Sequence, residues 1–158
     1  MLTTDYTGRV SDIDMFGISS NPRLEEVALT FGSGAVVAGP YKEAQKFLRI
    51  LLSDSGSLLA QPEYGADLFK KLNHGLILNE AQFKTYFVSA AAQALELIRI
   101  SKLKDGVRDS RFLDDESLTD VIIQSIDISP PLFKLTLKFI FVDTSIDIII
   151  PVGISVGT

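Results

Sequence analysis

Two runs near the C-terminus constrain the fold most. In FKLTLKFIF, over 133–141, Phe133, Leu135, Leu137, Phe139 and Phe141 fall at every second position, and over 146–156 Ile146, Ile148, Ile150, Val152, Ile154 and Val156 do the same. That spacing gathers the apolar side chains on one face of an extended strand and would scatter them around a helix. Asp143, Thr144 and Ser145 lie between the runs, so the two strands are predicted to pair as a hairpin. The run TDVIIQSIDIS at 119–129, closed by Pro130 and Pro131, supplies a third neighbour and completes an antiparallel meander. Pro151 cannot donate to a ladder, which assigns the last strand to an edge of the sheet.

Upstream the period changes. Tyr41, Ala44, Phe47, Leu48, Leu51 and Leu52 recur at helical spacing after Pro40, a residue suited to a first helical turn, and predict a helix over 40–53 with Gly56 able to end it in a left-handed cap. A short helix is expected over 66–72. Asn79 with Gln82 three residues later resembles a capping box and opens a long helix through about position 103, with Phe83, Phe87, Ala91, Ala94 and Ile98 on one face. Within it, SAAAQA at 89–94 would let another backbone approach closely, but alanine is also the best helix former, and core packing is the expected reading. The segment 105–118 is charged and turn-forming and is expected to be a solvated loop.

Residues 1–39 are polar and rich in glycine and serine apart from an apolar run at 27–31, and are expected to form an extended arm with short strands. Residues 40–158 form the one folded domain, an α+β unit in which two main helices pack on the C-terminal antiparallel meander. A chain of 158 residues buries roughly 70% of its unfolded surface, enough for a self-sufficient core.

The chemical inventory is sparse. A formal net charge of −5 disfavours nucleic acid as a partner, because phosphate neutralisation needs clustered lysine and arginine. With no cysteine, disulfides, thiolate nucleophiles and sulfur-ligated zinc are excluded. No run of about 18 apolar residues suggests a membrane span and the N-terminus has no export pattern, so a cytoplasmic origin is expected. The single histidine, His74, sits in a glycine-containing turn, and the acidic loop with Asp105, Asp109, Asp114, Asp115 and Glu116 has no ordered ligand spacing. Glu63 and Asp67, four apart, could serve a glycosidase if the residues between them were helical.

The stretch SDSGSLLAQPEYGADLF at 53–69 punctuates the chain with Gly56, Pro62 and Gly65. It is read as a structural corner: Gly56 ends a helix, Pro62 fixes an extended segment, Gly65 turns the chain with positive φ, Tyr64 packs inward and Glu63 caps or pairs locally. The succession of amphipathic helix, LLSDSG, QPEYGADLF, long helix and terminal hairpin resembles the baseplate wedge or sheath-initiator proteins of contractile phage tails, once described as lysozyme-like. The matching positions are Leu51, Leu52, Ser53, Gly56, Pro62, Tyr64, Gly65 and Leu68, and SDIDMFG at 11–17 is similar to the arm that precedes this domain in the family. Ser57 stands where the family commonly has glutamate, and the family's Glu-Pro-Arg triplet after the long helix is replaced by Glu96, Leu97, Ile98 and Arg99.

The resemblance implies a virion protein assembled in the host cytoplasm, without enzymatic activity or cofactor. It would sit in six copies around the tail tube, bind wedge proteins and template the first ring of sheath subunits. The sheath-facing edge would be Ile146, Asp147, Ile148, Ile149, Ile150, Val152 and Ile154. A cellular contractile injection system would fit the same physics. The alternative function is a peptidoglycan-cleaving hydrolase built on Glu63 and Asp67.

Overall fold

The computed structural model describes residues 12–13, 36–106, 117–129 and 132–153. Strands β1 (Asp12–Ile13) and β2 (Val36–Val37) form a small antiparallel pair. Helices α1 (Gly39–Leu52), α2 (Leu68–Asn73) and α3 (Glu80–Gly106) follow. Strands β3 (Leu118–Ser129), β4 (Leu132–Phe141) and β5 (Ser145–Gly153) close the chain as an antiparallel sheet of order β3-β4-β5. This is the expected α+β meander, with β5 on an edge among the described strands.

The alternation read from sequence decides which face of the sheet meets the helices. Leu135, Leu137, Phe139 and Phe141 of β4 and Ile146, Ile148 and Ile150 of β5 are buried. On β3 the phase shifts: a bulge between Ile123 and Ser125 leaves Val121, Ile123 and Ile126 all packed against the core. Between β4 and β5 the register runs without a bulge from Leu132↔Gly153 to Ile140↔Ser145.

Helix α1 is the centre of the core. Phe47 meets Phe139 edge to face, with centroids 5.4 Å apart, and fixes the helix to β4. The expected face of α3 is buried at Phe83, Phe87, Ala91, Ala94 and Ile98. Asn79 Oδ1 accepts from the Gln82 N–H at 2.9 Å, as a capping residue should, while Gln82 Oε1 reaches back to the Leu78 N–H at 2.9 Å.

Several details depart from expectation. Helix α1 ends through Ser53, whose backbone is extended and whose N–H bonds Ile50 O at 3.2 Å, so Gly56 does not end it. Leu52, placed on the apolar face, is partly exposed, while Glu43 and Gln45 are fully buried. Helix α2 starts at Leu68 rather than 66 because Asp67 holds φ +55°, outside the helical region. Helix α3 continues to Gly106 and shortens the expected loop. The apolar run at 27–31, most of the acidic loop, the Pro130 and Pro131 turn, Ile154 and Val156 lie outside the described residues.

Candidate functional site: a locked turn and an open strand edge

The chain between α1 and α2 makes three β-turns in succession, closed by hydrogen bonds from Ser57 N to Asp54 O, Gln61 N to Leu58 O and Tyr64 N to Gln61 O. Gly56, at φ +78°, occupies the third position of the first, where positive φ is required in a type II turn. Pro62 occupies the second position of the last, which its fixed φ favours. Pro62 thus makes a tight turn rather than an extended segment.

Four cross-links tie the base of this loop. Gly56 N donates to Pro62 O at 2.9 Å and Ala66 N to Ser53 O at 3.0 Å. The Asp67 carboxylate accepts from the Ser55 N–H at 2.9 Å and from the Ser55 hydroxyl. Gly65 lies where the two arms cross, buried, with φ +125°. A Cβ there would stand 2.5 Å from the Asp54 carbonyl carbon and 2.6 Å from the Ser55 nitrogen, so the residue is glycine for lack of space as well as for its φ. Its carbonyl accepts from Gln93 Nε2 at 2.9 Å, beside the small residues of α3. Leu68 is fully buried and Tyr64 packs against the core, as a corner requires.

Glu63, expected to cap or pair, is exposed and takes no part in these cross-links. The residues between Glu63 and Asp67 are not helical, and Asp67 is committed to Ser55. The Ser55 hydroxyl is the chief cause holding the Asp67 carboxyl below the ordinary aspartate range, with the Lys70 and Lys71 charges adding to it. A carboxyl with a depressed folded pKa stabilises at pH above its unfolded value, and that contribution is lost as pH falls through the folded one. Asp67→Asn should therefore cost about 1 kcal/mol at neutral pH, discounted for exposure, and flatten the acid limb of the stability curve. Urea unfolding across the acid range measures both, and an Asp67→Asn curve parallel to wild type would contradict the assignment.

The second region is β5. Phe141 N donates to Thr144 O at 2.8 Å, which makes 141 and 144 a hydrogen-bonded pair. Alternation along an antiparallel ladder then turns the backbone groups of Ile146, Ile148 and Ile150 toward β4 and those of Ser145, Asp147, Ile149 and Pro151 away from it. Pro151 supplies no N–H on that side. Among the described residues no second strand pairs with β5, so no ladder partner there meets the outward N–H and C=O groups of Asp147 and Ile149. Asp147 is exposed and Ile149 partly so. Val152 continues the ladder opposite Phe133.

The opposite edge is blunted. Strand β3 is bulged and carries exposed Asp120, Gln124 and Asp127, devices that discourage pairing. Sequence reasoning missed Ser55 and Gln93, which act across 12 and 28 residues. Glu96 and Arg99 pair with each other on the exposed face of α3 at 2.7 and 2.8 Å.

His74 is exposed at the end of α2. Among the described residues, no cluster of three or more potential metal ligands occurs, and no helix is long and apolar enough to cross a membrane. Comparison with protein-family models, curated proteins and solved structures gives no match.

Proposed function

We propose that the chain is a structural subunit of a contractile-tail baseplate, joining wedge proteins around the tail tube and templating the first sheath ring through β5. The observation that carries the reading is the contrast in register between the two sheet edges: β3 is bulged, whereas β5, though it carries Asp147 and Pro151, pairs without a bulge and directs the backbone groups of Asp147 and Ile149 outward. A partner strand added there gains main-chain hydrogen bonds, and alternate side chains set its register. The locked turn between α1 and α2 supports the same reading, since it serves the packing of the helices and commits the Asp67 carboxylate to Ser55.

Ile149 belongs to the sheet face turned away from the helices, so Ile149→Lys preserves the buried set while placing a charge beside the joining strand. The folded variant should nucleate polymerisation of sheath subunits about tenfold more slowly than wild type, read by light scattering. Nucleation at the wild-type rate would remove the support for strand addition.

A further inference from the structure

A cavity of about 250 Å³ opens between α1, the second half of α3 and the turn. Its walls carry three cations, Lys46, Arg49 and Lys104, and one carboxylate, Glu63, while the Glu43 carboxylate behind Lys46 is shared with Lys42 and Lys102. Ile50, Leu97 and Ile98 supply apolar surface, and Gln61 and Ser101 supply hydrogen-bonding groups. Lys46 is pre-oriented: its Nζ lies 3.1 Å from Oε1 of the fully buried Glu43. The turn side is equally fixed, since Gln61 and Tyr64 belong to the last β-turn. No lining residue lies in a strand.

We infer that this groove is a docking site for an acidic segment of a partner protein, one that sets a carboxylate between Lys46 and Lys104 and an adjacent apolar side chain on Ile50, Leu97 and Ile98. Charge complementarity carries the choice: on a chain of net charge −5 this wall gathers positive groups, and the apolar surface beside them favours a protein segment over a phosphate. The size agrees. Pockets for drug-sized ligands run from about 300 Å³ upward, so this one suits a side chain or two of a bound segment. The inference does not depend on the reading of β5.

The test uses the purified full chain and a short synthetic peptide alternating glutamate with leucine, followed by fluorescence anisotropy and by amide shifts of the labelled protein. Binding should weaken with salt, shift amides of the groove, and fall about tenfold in Lys104→Glu, an exposed position whose change leaves the fold intact. Because Lys46 touches buried Glu43, Lys46→Gln is used as a second variant, checked by its melting curve, and should also weaken binding. Four results would each overturn the proposal: no binding at millimolar peptide, equal binding by the charge variants, equal binding of a glutamine-leucine peptide, or shifts confined to other surfaces. Inorganic phosphate competing as well as the peptide would also overturn it, by reducing the site to a free-anion pocket.

Discussion

Gly65→Val should lower the free energy of unfolding by about 4 kcal/mol, summing strain at a glycine-only φ with overpacking against backbone atoms that cannot move aside. For a chain of this length that corresponds to a fall in Tm of roughly 10 °C or more. The cause is separable. At Gly65 an added Cβ meets Asp54 and Ser55 backbone at 2.5 and 2.6 Å, whereas at Gly56, also at positive φ, it meets nothing within 4 Å. Gly65→Ala should therefore cost several times more than Gly56→Ala, which carries only the conformational term of about 1 kcal/mol. Equal losses in urea unfolding would show that the crossing of the two arms is not what the glycine serves.

Glu43→Ala should be nearly as damaging, at about 3–5 kcal/mol, the range for removing one partner of a buried ion pair. Three ammonium groups meet this one carboxylate: Lys42 at 3.9 Å, Lys46 at 3.1 Å and Lys102 at 3.4 Å. Lys102 faces Oε2 at ion-pair distance, without the alignment of a hydrogen bond. Burial pushes the Lys102 ammonium below the ordinary lysine value, and Glu43 partly offsets that. A lysine with a depressed folded pKa is penalised at neutral pH, and the penalty lifts as pH rises from the folded toward the unfolded value. Without Glu43 the depression deepens, so Glu43→Ala should regain more stability toward alkaline pH than wild type gains. In a double-mutant cycle with Lys102→Met the two losses should be clearly less than additive. Strict additivity would mean that the pair is not coupled.

What could be read from the chain follows the range of the interactions. Period-two runs such as 133–141 and 146–150 report a half-buried strand directly, because each residue's exposure depends on its own position in the pleat. The cap at Asn79 and the positive φ at Gly65 were legible for the same reason, each being a property of a few consecutive residues. Gly56 was assigned to a helix end because a left-handed glycine serves a cap and a type II turn equally well. Ser55 with Asp67, Gln93 with Gly65 and Glu43 with Lys102 were not legible, since each joins groups brought together only by the packing of α1, the turn and α3. Glu43 in particular shows only an ordinary i,i+3 pair with Lys46 in the sequence, a pattern that usually lies on a solvated face.

The two regions also differ in what they can do. The turn spends its polar groups on itself: the Asp67 carboxylate, the Gly65 carbonyl and the Gly56 N–H all have partners inside the protein. Among the described residues no strand pairs with the outer side of β5. A regular sheet edge beside an internally bonded turn is suited to assembly through that edge.

The most direct measurement is a density map of the assembled tail baseplate at a resolution that traces strands. The proposed function predicts a strand from a sheath subunit antiparallel or parallel to β5, with main-chain hydrogen bonds to Asp147 and Ile149 and a break in the ladder at Pro151. A β5 whose outer edge is covered by this chain's own N-terminal residues, or left bare in the complete particle, would contradict it.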